Sequence, residues 1–171
     1  MKAAILHWLQ IGLLPVILLI LGLNLLRANP QELWTMLVVD IIFILCLSIG
    51  LVQLRKGHFE ATVKLHLVSQ CALIVFGTMA KLPILELTGY NHFTAEMFCV
   101  IVFASIFGTR RQLLAVAAFL LTLTAVTYFF GRTIVAAHLR LHLQSASLNA
   151  GVAMVATIFL AYCNEHITRA G

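Results

Sequence analysis

Between Lys2 and Arg27 the chain has no Asp, Glu, Lys or Arg, and comparable uncharged stretches recur along its 171 residues. A helix of ~20 apolar residues crosses the ~30 Å hydrocarbon layer of a bilayer. In lipid every backbone polar group must find its partner inside the chain, so such a segment spans as a helix. Charged residues make up 10% of the sequence and hydrophobic residues 62%. A soluble domain carries about 25% charged residues, so this chain has too few to cover its surface against water. The mean hydropathy of +1.04 agrees.

The apolar stretches and the turns between them predict an all-α polytopic membrane protein with six transmembrane helices in one domain, 1–171. The expected spans are 4–26, 32–54, 61–82, 93–108, 112–131 and 143–163. Six spans of ~20 residues account for about 120 residues and leave only short loops and tails. The first stretch follows Met1-Lys2 like a signal peptide but has no small-residue cleavage motif before Arg27, so it reads as a retained helix. Pro15 lies inside it and is expected to bend it. Asn29, Pro30 and Glu32 have the spacing of a cap, a first helical position and a capping-box acid. Helix 3 is expected to stop at Pro83. A polar connection from Glu86 to His92 follows, with Thr94 as the cap of helix 4. Thr109-Arg110-Arg111 reads as a tight turn, and Gly131-Arg132 as an interruption after helix 5.

Orientation follows from Lys and Arg near the helix ends. One side collects Lys2, Arg55, Lys56, Lys64, Arg110, Arg111 and Arg169; the other has Arg27, Lys81, Arg132 and Arg140. The richer side is expected to be cytoplasmic, with both termini there and the protein in the inner (plasma) membrane. The formal charge of +5 comes from scattered residues, so nucleic acid is not an expected partner. Cys46, Cys71, Cys99 and Cys163 lie in apolar stretches without CxxC spacing and read as packing residues, not a disulfide framework.

Ionisable groups at membrane depth are costly, so their placement is informative. Asp40, Lys81, Glu86, His92 and Glu96 gather towards the expected outer side, with Asn149 near the start of helix 6. Together they could line an outward-facing pocket with Asp40 as its floor. His138 and His142 are four apart and share one helical face, a spacing that metal ligands use, with Glu86 or Glu96 available to complete a shell. The plainer account is solvated loop residues, a Glu96 placed favourably near a helix N-terminus, and an Asp40 paired with Lys81 or protonated. At this outer pocket the sequence names no cofactor beyond that possible metal ion. On the other side, His66 lies in the first turns of helix 3, with Gln70 and Cys71 deeper. It reads either as a haem ligand or proton relay, or as a partly solvated interfacial histidine. His7 beside Trp8 reads as an interfacial anchor. In helix 6, Ser147 and Gly151, and Ala146 and Ala150, repeat at four-residue spacing. Small residues let helices approach closely in lipid, so Ser147, Ala150 and Gly151 mark either internal packing or the seam of a homodimer.

No GxSxG, HExxH, Walker loop or rhomboid-like serine motif is present, and no span carries voltage-sensor arginines or paired transporter breaks. An enzyme is not expected. The layout resembles the N-terminal six-helix membrane input domains of bacterial signalling proteins. In these proteins such a domain precedes histidine kinase, diguanylate cyclase, class III adenylyl cyclase or PP2C-type phosphatase modules. The resembling features are the turn Arg27–Glu32, the basic turn Leu54–His58, the polar connection between helices 3 and 4, and the turn Phe107–Arg111. The MHYT pattern of one related sensor class is missing. The resemblance implies a receptor or anchor whose last helix continues through Asn164–Arg169 into a linker. The chain would then be the membrane part of a longer protein with a cytoplasmic output domain. It carries over no ligand and no binding residue. Two other readings stay open: a small proton- or cation-coupled transporter using Asp40 and Glu96, and a lipid-, quinone- or haem-binding subunit of a complex.

Overall fold

The computed structural model describes residues 1–27, 30–81 and 87–134, and residues 144, 147–148, 150–152, 154–159 and 162. Side chains are described for the same residues except 24, 27, 30–36, 79–81, 87–95 and 134. Among the described residues the chain is helical and has no strand. Five helices follow in order: α1 (Lys2–Arg27), α2 (Pro30–Arg55), α3 (Phe59–Lys81), α4 (Leu87–Phe107) and α5 (Arg110–Ile134). A further apolar helical segment covers Ala150–Phe159.

Four of these helices are long and apolar enough to cross a membrane: Lys2–Leu23, Leu37–Arg55, Phe59–Thr78 and Arg110–Thr133. Glu96–Phe107 and Ala150–Phe159 are shorter apolar helices. The chain is therefore a helical membrane protein with four candidate spans among its described residues. Its outward faces say the same: Trp8, Leu19 and Leu26 on α1, Val52 on α2, and Phe129 and Phe130 on α5 are all exposed. Such faces do not persist in water and need lipid around them.

The structure divides within α3 into two compact units, Met1–Leu73 and Ile74–Gly171. In the first unit α1 packs along α2. Leu6, Gln10 and Ile17 form the buried stripe of α1, and Leu47 and Gly50 that of α2. These positions recur at three, four or seven residues, the spacing of one helical face. The turn from α2 to α3 is a Schellman closure. His58 N–H donates to the Gln53 carbonyl at 2.9 Å and Gly57 N–H to the Leu54 carbonyl at 3.0 Å. Gly57 has φ +83°, the left-handed conformation this motif needs and that a Cβ disfavours. His58 then opens α3, its carbonyl accepting from Thr62 N–H at 3.1 Å.

In the second unit α4 packs on α5. Met97, Val100, Ile101, Ala104 and Phe107 form the buried face of α4, and Leu113, Val116, Ala117, Leu120, Leu123 and Thr124 that of α5. The Thr124 hydroxyl sits 3.7 Å from the Met97 sulfur and donates at 2.9 Å to the Leu120 carbonyl. Ser147, Ala150 and Met154 are buried in the same unit.

Three local expectations change. Helix α4 begins at Leu87, so the stretch from Leu87 to His92 is helical and Thr94 is interior to α4, not its cap. The polar residues there cost helix propensity only in tenths of a kcal/mol each, too little to end a helix whose next turns are strongly apolar. Helix α5 runs through Gly131-Arg132 to Ile134 without interruption. A mid-helix glycine costs about 1 kcal/mol, and Gly131 is buried, where a small residue permits close packing. Thr109 caps α5 instead of only turning the chain. Its Oγ1 accepts from Gln112 N–H at 3.3 Å while the Gln112 carboxamide oxygen accepts from Thr109 N–H at 2.7 Å. This reciprocal pair is a capping box. Pro15 lies within a continuous α1, and Pro30 opens α2 as expected. Asn29 and Pro83 lie outside the described residues.

Candidate functional site

The first unit buries a polar cluster where lipid-facing helices would be expected to bury only carbon. Gln10 of α1 is 1% exposed, His66 of α3 is 2% exposed and Thr62 is fully buried. The Gln10 carboxamide and His66 Nε2 share a buried hydrogen bond. With the amide nitrogen donating, the imidazole carries its proton on Nδ1. Gly50 of α2 makes the meeting possible. A Cβ there would lie 2.7 Å from His66 Nε2 and 2.9 Å from the Gln10 amide nitrogen. The Thr62 hydroxyl, on the same face of α3 one turn from His66, lies 3.4 Å from the Gly50 carbonyl and donates at 3.0 Å to that of His58. One residue from each of three helices thus meets at one level, about two turns in from the end where Lys2, Arg55 and Phe59 lie.

His66 is therefore a buried, hydrogen-bonded side chain, which corrects its reading as a partly solvated interfacial histidine. Sequence reasoning missed its partners. Gln10 is, with His7 and Asn24, one of three side chains able to donate and accept inside the mostly apolar first stretch, and that signal was available. That Gly50 lies opposite it was not, because local spacing does not give the register between helices.

The second unit holds a groove of about 620 Å³ between α5 and the last helical segment. One end carries Tyr128, Gln144 and Ser147; the other is lined by Leu121, Val152 and Val155. Most of the polar side chains thus sit at one end, with Thr124 partway along the otherwise apolar remainder of the groove. The last segment runs back along α5: Gln144 and Ser147 share the groove with Phe129, and Tyr162 reaches the opposite end of α5. There the Arg110 guanidinium donates to the Tyr162 hydroxyl at 2.8 Å and lies 4.6 Å from the centre of its ring.

The residues expected at an outer pocket are distributed as follows. Asp40 is half-buried on α2, in the first unit. Glu96 is exposed on α4 and His92 is helical in α4, both in the second unit. Lys81 is the last residue of α3. Glu86, His138, His142 and Asn149 lie outside the described residues. Among the described residues no group of three or more His, Cys, Asp or Glu side chains could hold a metal ion. Of the small residues in the last segment, Ser147 and Ala150 are buried within the unit and Gly151 lines the groove. Among the described residues, the large aliphatic and phenyl side chains left exposed there are Leu148, Val152, Val155 and Phe159.

No protein family, curated protein or solved structure matches the chain.

Proposed function

We propose that the chain is a membrane-embedded sensor and anchor module of six spans with both termini in the cytoplasm. It relays a signal through its last helix to a cytoplasmic output domain. The observation that carries this reading is the groove on the flank of that helix, with a polar end at Tyr128 and Gln144 and an apolar run towards Leu121 and Val155. Its shape and polarity suit an amphiphile with a small polar head and a hydrocarbon tail. An occupant would touch the relaying helix directly, through Ser147, Gly151 and Val155, and so bias one packing of it against α5. A ligand shifts an equilibrium only by its differential affinity for the two states, and contact with the moving element provides that difference.

The module works as a homodimer. Leu148, Val152, Val155 and Phe159 recur at four, three and four residues on one side of the last segment and remain exposed in the single chain; the first three also line the groove, so a second copy docked there would close over its open side. That stripe suits a seam between two copies better than Ser147 and Ala150, which are already covered. The groove also suits a second reading, a lipid- or quinone-binding subunit of a larger complex, in which the occupant stays and nothing is relayed.

Single cysteines at Leu148 and Phe159, crosslinked in native membranes, test the sensor reading. Pairs between chains are expected, and filling the groove with Gly151→Leu should change their pattern. Pairing unaffected by the groove would favour the subunit reading, and failure of any position on the stripe to pair would remove the dimer. Reporter fusions at Met1 and Gly171 should both report the cytoplasm; opposite faces would rule out six spans.

A further inference from the structure

Three carboxamides in the first unit, one on each helix, have side-chain oxygens that are buried and accept no hydrogen bond among the described residues: Gln10, Gln53 and Gln70. Reversing the Gln10 amide would only exchange which of its ends meets His66, so one end stays unmatched either way. The placement of the three is ordered. Gln53 lies three residues beyond Gly50, on the same face of α2 and one turn nearer the α2–α3 turn. Gln70 lies four residues beyond His66, on the same face of α3 and one turn farther from it. The Gln10–His66–Gly50 contact fixes the level between them. Thr62 and Ser69 add hydroxyls to the same stretch of α3. The result is a polar column about two turns long, or ~10 Å, that begins at Gln53, about half a turn from the end of α2.

An unmatched buried acceptor costs about 1–3 kcal/mol, and three of them stacked beside an imidazole is a costly arrangement in a membrane helix bundle. Each lacks a donor among the described residues, and the smallest donor that reaches a buried site is water, which is held where two to four polar partners surround it. We propose that this column is a hydration site. A short file of water enters beside the α2–α3 turn, passes Gln53 and reaches the His66 imidazole. The ligand class is water and the proton it carries. His66 is the inner group that this file serves, although no face of its ring is open at the protein surface.

The test uses the full chain in phosphatidylcholine nanodiscs and follows deuterium exchange at the imidazole Cε1–H of individual histidines by mass spectrometry. His58 is exposed on the turn and serves as the internal reference. A hydrated His66 exchanges within about tenfold of His58, whereas a dry one waits for the bundle to open. Gln53→Leu should slow His66 by more than about tenfold while His58 is unchanged; Gln53→Met repeats the test with an unbranched side chain of similar length. Gln70→Leu, beyond His66, should leave its exchange unchanged. His66 slower than His58 by more than about tenfold in the native chain overturns the proposal. So does an unchanged rate in both Gln53 variants, or slowing confined to Gln70→Leu, which would place the entry at the other end.

Discussion

The two units of this chain are both helical and both apolar on their outer faces, yet they are held together by different means. In the first, helices meet around hydrogen-bonding side chains, with a glycine opposite the contact to make room. In the second, the described side chains buried between α4 and α5 are mostly carbon, with a threonine–methionine contact among them. The difference matters because lipid removes the usual driving force. Apolar burial between helices gains little over contact with acyl chains, so association rests on packing and on polar groups that lipid cannot satisfy. The first unit should therefore be sensitive to the geometry and chemistry of a few atoms, and the second to volume, more weakly and over more positions.

Substitutions on the two sides can break that contrast. The largest effect is expected for Gly50→Val in the first unit. Its branched side chain must displace His66 and Gln10, combining overpacking of about 1–3 kcal/mol with the loss of a buried hydrogen bond, for a total of about 3–4 kcal/mol. Unfolding in mixed detergent, followed by circular dichroism, should show it. A loss below ~1 kcal/mol would mean that the polar meeting point is not what holds this unit. In the second unit, Met154→Ala removes a fully buried side chain. In water such changes cost about 2–5 kcal/mol; here only the packing part remains, and roughly 1–2 kcal/mol is expected in the same assay. Equal losses for Met154→Ala and Gly50→Val would erase the distinction between the units.

Smaller effects sharpen it. Thr109→Ala removes the hydroxyl of the α5 capping box and should cost about 1 kcal/mol, with Thr109→Ser retaining most of the stability. Gly151→Ala is expected to change stability by less than ~0.5 kcal/mol, because a Cβ there meets nothing within 4 Å. A large destabilisation at Gly151 would show that the groove face is as tightly fitted as the one around Gly50.

Much of this architecture could be read from residues in order. Helices α1, α2 and α3 end within two residues of the expected limits because charged or glycine-bearing turns mark them, as at Arg55-Lys56-Gly57-His58. The start of α4 was less legible. Residues from Leu87 to His92 look like loop in polarity, but the helix absorbs them since nothing there breaks backbone hydrogen bonding. Thr109 and Gln112 have the spacing of a capping box, and the adjacent arginines drew attention to the turn instead. The site was legible only in half. His66 stood out by its chemistry, but its pairing with Gln10 joins positions 56 apart in sequence and depends on how the helices slide past one another. No local pattern encodes that.

The meeting of Gln10 with His66 also bears on biogenesis. The two side chains reach the membrane in different helices, with all of α2 synthesised between them. An imidazole or a carboxamide released alone into hydrocarbon has nothing to bond. The tight Gly57 turn makes α2 and α3 a hairpin, so His66 enters with Gly50 already alongside, and α1 must still be at hand to receive it. The first three helices are thus expected to leave the insertion machinery as one package rather than one by one, with Gln10 held near the exit until His66 arrives.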